Sequence, residues 1–460
     1  MRNLIVLLLL VFFSACYSQD SENLDKPVDS RQREIVFLSV NVIPIDKEQV
    51  LADQTVVVRD GKIVEMGKTG KVKYNREALL IEAKGKYLIP GLAEMHAHVP
   101  PVNDLEPMKD VLLLFATHGI TTIRGMLGHP RHLELRNMLE KEEILGPRFY
   151  TSGPSFNGNS IKSTAAADSL VRQQKQAGYD FLKLHPGLSR ENFDAMVKTA
   201  REVNITFAGH VSFDVGVWHA IESGYATIDH LDGFVEGLVP SIQQMNEQEV
   251  GIFGMNVSDK SDPAQIPKLV DALKSHHIWV VPTQALAERW FSPWRDANSF
   301  RQDPAMKYMP AATLTNWVNS KNNLVSNAAY DSAKADAFIR FRRRLILECH
   351  KGGVGILLGS DAPQVFNVPG ISTHQELQYL VESGLTPYQA LRTGTFNVAE
   401  FYGAKDRGVI KKGAVAELVL LKGNPIENIS NTQTIEGVML VNKWLPRKYL
   451  DSTLKKLEKN

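Results

Sequence analysis

Residues 87–100 read Tyr-Leu-Ile-Pro-Gly-Leu-Ala-Glu-Met-His-Ala-His-Val-Pro. The run 87–90 is apolar and of strand length, and His96 and His98 follow it two positions apart. Alternate residues of an extended chain face the same side, so both imidazoles can reach one metal ion. The same rhythm returns along the chain. Short apolar runs at 87–90, 120–123, 148–151, 181–185, 206–210, 227–230, 279–282 and 356–361 alternate with helix-length amphipathic stretches. Eight such units predict an α/β fold, a (β/α)8 TIM barrel spanning about 86–403. That length is large for the fold, and the excess lies between His230 and Trp279 and between Pro282 and Ile356.

Outside the barrel the texture changes. Residues 34–43 are rich in Ile and Val, and 55–58 run into Asp60-Gly61, a hairpin turn signal. Strand-like stretches return at 416–421 and 438–444, so 33–85 plus 404–450 predict a small β-sandwich domain built from both chain ends. The segment 61–69, GKIVEMGKT, resembles a phosphate loop, but five residues separate its glycines where that loop needs four. It also lies between strands instead of opening a helix.

Barrel active sites sit at the C-terminal ends of the strands. His210 ends the fifth candidate strand, His230 the sixth and Asp361 the eighth, so with His96 and His98 five side chains converge on one mouth. Lys183 lies inside the apolar fourth strand, where an ammonium is costly unless it is neutralised or engaged. A carboxylate partner, or snorkelling to the rim, would also serve it. His129 and His185 follow strands two and four and are candidates for substrate contact, or else structural polar residues. His374 and Glu376 are expected to support or pack, and His219, His276 and His277 to be structural. Trp290, Phe291, Trp294 and Trp317 read as helix packing or, more sharply, as an aromatic wall over the mouth. Arg340 and Arg342 to Arg344 read as a solvated helix face.

These segments resemble the amidohydrolase superfamily. PGLAEMHAHVP at 90–100 is similar to its opening motif, and FAGH at 207–210, IDH at 228–230 and GSDAP at 359–363 to its later ligand segments. Residues 121–130 and 178–189 place the likeness nearest the imidazolonepropionase-like and prolidase-like subgroup. Glu417 stands where the family usually has Asp, outside the metal site. The resemblance implies a metal set of His96, His98, Lys183, His210, His230 and Asp361. It further implies two divalent cations, zinc by preference, bridged by a carbamate formed from Lys183 and carbon dioxide. Mononuclear members, such as the nucleobase deaminases, generally lack this lysine. Asp361 is then the catalytic proton shuttle, taking a proton from a metal-activated water and passing it to the leaving nitrogen.

Composition narrows the alternatives. Lys plus Arg number 52 against 51 Asp plus Glu, a balance that argues against a nucleic-acid partner. Only Cys16 and Cys349 are present, too few for a disulfide scaffold or a cysteine-held zinc; Cys349 reads as buried packing. Residues 1–16 carry one arginine, an apolar run too short to span a bilayer and the lipobox-like Phe13-Ser14-Ala15-Cys16. They predict export with lipid attachment at Cys16, or else ordinary signal cleavage, with 17–32 as a tether. The expectation is an exported, membrane-anchored hydrolase of an amide, cyclic amide or dipeptide. Its rivals are a mononuclear deaminase or imidazolone-type hydrolase and a catalytically silent, ligand-capturing lipoprotein.

Overall fold

The structure, a computed structural model, describes residues 25–459. The signal segment, Cys16 and the first part of the tether lie outside the described residues. A nine-stranded sheet is assembled from both chain ends. From one edge its order is Val28–Asp29, Lys443–Pro446, Ile435–Leu440, Leu418–Leu421, Tyr87–Pro90, Ile35–Val42, Leu51–Arg59 and Lys62–Lys68, with Leu79–Glu82 paired parallel to Ile35–Val42. It encloses a core of its own that includes Phe37, Val56, Leu418, Met439 and Trp444. Leu51–Arg59 and Lys62–Lys68 join through Asp60-Gly61, and both turn residues have positive φ, as a two-residue hairpin with right-handed strand twist requires. The phosphate-loop lookalike is thus the second strand of this hairpin.

Two expectations are corrected here. Tyr87–Pro90 is not the first barrel strand; it pairs with Leu418–Leu421 and Ile35–Val42 inside the sandwich sheet. The barrel begins one element later, at Leu92–Ala97. The expected tether at 17–32 also ends early. Val28 and Asp29 pair with Trp444 and Lys443, and the Lys443 Nζ donates to Asp29.

The barrel strands are all parallel. Leu92–Ala97, Ile120–Gly125 and Arg148–Thr151 form one set, and Leu182–Leu184, Phe207–Gly209, Thr227–Asp229 and Trp279–Val281 the other. Bridges at Ser152 to Phe181 and Phe156 to Leu184 connect the two sets. The eighth segment is irregular and closes the ring by single bonds. Leu357 N–H donates to Val280 O (2.9 Å), Met95 N–H to Leu358 O (2.8 Å) and Asp361 N–H to His96 O (3.1 Å). Helices cover the outside, and the two long insertions supply extra ones, including Ala311–Val325 and Ser332–Gly352. Among the described residues no helix is long and apolar enough to cross a membrane.

Candidate metal centre

Each expected ligand is delivered by the end of a barrel strand. Leu92–Ala97 carries His96 and runs directly into His98, Leu182–Leu184 carries Lys183, and His210, His230 and Asp361 follow the ends of their segments. His230 and Asp361 hold left-handed backbone angles, φ 63° and 66°, which are uncommon for side-chain-bearing residues. Gly209 is required by its neighbour: a Cβ there would stand 3.0 Å from Lys183 Nζ.

The groups meet. One ligand atom from each of His96, His98 and Asp361 lies within 4.8 Å of the others, a cluster suited to a metal ion. The His230 ring centroid is 4.4 Å from that of His96 and 4.3 Å from that of His210. His185 stacks on His210 at 5.1 Å, at the edge of the group. His129 is placed elsewhere, beside the helix Arg131–Glu140, where it accepts the Arg131 N–H and faces His132.

The polar atoms that meet are left without partners. His96 Nε2, His98 Nε2, His230 Nε2, Lys183 Nζ and Asp361 Oδ1 are all buried and none has a hydrogen-bond partner. His98 Nε2 and Asp361 Oδ1 are 3.0 Å apart, yet neither bonds the other. Buried polar groups are normally satisfied, so a converging set of orphans fits a cation as the missing partner.

The opposite nitrogens of the rings are held. His96 Nδ1 donates to Asp229 (2.7 Å), His210 Nδ1 to Asp232 (2.9 Å), and His230 Nδ1 pairs with the Thr283 hydroxyl (2.8 Å). A carboxylate on Nδ1 fixes the proton there and leaves the Nε2 lone pair free to ligate. Below, Arg124 donates to Met95 O and Thr227, and it faces Asp229 at 3.4 Å. Glu94 accepts from the Ser360 N–H, the Ser360 hydroxyl and the Thr373 hydroxyl, tying the first segment to the eighth beside Asp361.

Burial sets the charge states. Burial, followed by the charge of Lys183, holds the His96 and His210 imidazoles well below their ordinary range and takes His98 down to about 3. The rings are therefore neutral, as ligands must be. Burial draws the Lys183 ammonium down to about 8 against the pull of Asp229 and Asp361. Burial pushes the Asp361 carboxyl well up.

Several residues of the site escaped the sequence reading. Arg342 is buried, not solvated: it donates to His230 O (2.5 Å), Pro282 O (2.8 Å) and Gln284 Oε1 (3.1 Å). Arg340 and Arg344 do face outward, while Arg343 is half-buried and pairs with the buried Glu288. Glu376 accepts the Gln284 and Ala285 N–H groups, so its expected supporting role is what the structure shows. Of the aromatic cluster, Trp317 packs on Phe366 in the interior and Trp294 is exposed, while Trp290 lines a cleft beside His210. Phe253, from the first long insertion, stacks over His230 at 5.4 Å and His210 at 6.0 Å.

Fold and site together define a parallel barrel with a mouth built to hold a cation. The chain belongs to the amidohydrolase family, whose model matches residues 87–445. It is similar to an adenine deaminase of Deinococcus deserti, 24% identical over 388 residues, covering 82% of this chain and 55% of that one. It is also similar to an ochratoxinase of Aspergillus niger, 36% identical over 91 residues, 19% of this chain and 18% of that protein. The chain thus spans little more than half the length of the first relative and under a fifth of the second. Among solved structures it resembles a bottromycin amidohydrolase with a TM-score of 0.70 at 20% identity, covering 92% and 89% of the two chains. A Xaa-Pro dipeptidase with bound methionine gives 0.66 at 18% identity, covering 90% and 100%. These likenesses establish the barrel-plus-sandwich fold.

Proposed function

We propose that this protein is a metal-dependent hydrolase that cleaves a carbon–nitrogen bond in an amide, cyclic amide or dipeptide. The observation that carries the reading is the convergence of buried, unpartnered ligand atoms at the barrel mouth. His96, His98, His210, His230 and Asp361 would hold the cation, and nitrogen and carboxylate donors suit zinc. Lys183, as a carbamate made from its neutral amine and carbon dioxide with release of a proton, would let the site share two ions. Bound there, the metal would supply hydroxide near neutral pH and polarise the substrate carbonyl.

The chain's own groups do the rest. Asp361 takes the proton of the attacking water on its carboxylate and delivers it to the leaving nitrogen as the bond breaks. Asp229, Asp232 and Thr283 keep the three imidazoles turned toward the centre. His185, stacked on His210, would touch substrate. The test is turnover of a panel of amides and dipeptides before and after chelation. Loss on chelation and recovery with added divalent metal support the reading. Binding without turnover would favour the ligand-capturing rival.

The likeness to an adenine deaminase over 82% of the chain favours a second reading, a mononuclear deaminase on the same barrel. One metal per chain together with a bare Lys183 amine would move it ahead. We also infer export with a lipid on Cys16, supported by the apolar run before Phe13-Ser14-Ala15-Cys16. Radiolabelled palmitate should enter the wild type and not Cys16→Ser.

A further inference from the structure

Beside the ligand cluster the mouth opens into a cleft of about 890 Å³, bordered by His210 and walled by Val211, Val217, Phe253 and Trp290. One carboxyl group on this wall has no role in the chemistry above. Glu236 sits on the one-turn helix Phe234–Gly237, against the insertion loop, where a Cβ on Gly254 would stand 3.1 Å from its Cδ. Its Oε2 is buried and has no hydrogen-bond partner. Nearby groups do not complete it. Asp232 is occupied by His210 Nδ1 and the Val211 N–H. Arg342 turns its three nitrogens to His230 O, Pro282 O and Gln284, and no hydrogen bond joins it to Glu236 Oε2.

A carboxylate oxygen buried without a partner is costly, and such an atom persists where a ligand completes it. The charge of that ligand follows from the cleft. Its lining contains no lysine and a single arginine, Arg190, which is turned to Val215 O and Asp194. Asp214, Asp232 and Glu247 add further negative charge to the lining. Burial, then the charge of Asp232, push Glu236 up to about 8, so it gains its own charge most readily when a cation arrives. The apolar walls meanwhile suit a methylene stem.

We propose that Glu236 is a specificity-determining residue that accepts an ammonium or guanidinium at the end of an apolar stem on the substrate, so that the preferred substrates are amides of basic compounds. This rests on the hydrolase reading above. The test compares Lys-Gly and Gly-Lys with their norleucine counterparts, which keep the stem and lack the charge, on the full chain loaded with zinc. The wild type should favour one lysine substrate in kcat/KM by about tenfold or more, because a site built for a polar group rejects the analogue that lacks it. Glu236→Gln should erase the preference, mainly through KM, and Glu236→Asp should keep part of it. Turnover without preference, or a preference that survives Glu236→Gln, would overturn the proposal and leave the hydrolase reading standing.

If no dipeptide is turned over, calorimetry with L-lysine against L-norleucine decides. Tighter lysine binding that is lost in Glu236→Gln would uphold the cation site while the hydrolase reading fails. Equal or absent binding of the two would overturn the cation site as well.

Discussion

The sandwich and the barrel mouth are made from one chain and obey opposite rules. In the sandwich, Phe37 meets Trp444 edge-on at 5.1 Å, and the sheet residues between Val28 and Pro90 leave no buried side-chain polar atom unpartnered. Among the described residues every such atom lies between His96 and Tyr402, and the densest group is at the mouth. Left-handed backbone angles do not separate the two, since the mouth has them at His230, Thr283 and Asp361 and the sandwich at Ser39, Asp53 and Asp60. The unmet polarity is concentrated where chemistry is expected, and the packed sheet and barrel walls carry it.

Substitutions at the mouth should therefore cost activity and spare the fold, while those in the sandwich should do the reverse. The largest effect is expected for Asp361→Asn. Turnover should fall about a thousandfold, within the range of general acid–base catalysis, with a much smaller change in KM. The melting temperature should hold or rise, since a neutral amide replaces a buried carboxyl. Unchanged turnover with a weakened KM would remove Asp361 from the proton path.

Next comes Lys183→Ala, which should lower bound zinc from about two equivalents to one or fewer, with a steep loss of activity. A short carboxylic acid should restore part of both, because its carboxylate fits the space left behind. Metal analysis with and without the acid checks this. Asp232→Asn should weaken metal binding by about 10- to 100-fold, the usual cost of losing a ligand's supporting carboxylate. Titration with a competing chelator measures it.

The smallest effect belongs to the sandwich edge. Asp29→Ala removes bonds from Arg31 and Lys443, so it should cost about 1–2 kcal/mol in denaturant melts and leave kcat/KM alone. Hydrogen bonding to Arg31 holds the Asp29 carboxyl well below the usual range. Its contribution is thus present above the ordinary carboxylate pKa and is lost as pH falls toward the lowered value. The gap between wild type and Asp29→Ala should close on acidification.

The mouth was the most legible part of the sequence, because alternation at His96 and His98 and strand-end histidines carry a directional signal. The register of the barrel was less so. Tyr87–Pro90 and Leu92–Ala97 are both short and apolar, and only long-range pairing with Leu418–Leu421 shows that the first belongs to the sandwich. Asp229 and Asp232, flanking His230, carry no local signal of which imidazole each one meets. Arg342 does carry a local signal. On the helix Ser332–Gly352 the buried positions are Ala335, Phe338, Ile339, Arg342, Leu345, Ile346 and Cys349, so Arg342 falls on the apolar stripe, one turn from its neighbours. The adjacent Arg343 and Arg344 disguised it as a surface run. Glu236 gave no signal, because the insertion loop that buries its carboxyl lies well beyond it in sequence.

Counting the metal tests the central claim most directly. Full-length protein is purified without added chelator, dialysed and analysed by plasma mass spectrometry, while amide turnover is followed through chelation and re-addition of zinc. The account predicts about two divalent ions per chain, lost and regained in step with activity. A chain holding less than about 0.1 equivalent of any divalent metal with undiminished turnover would contradict it.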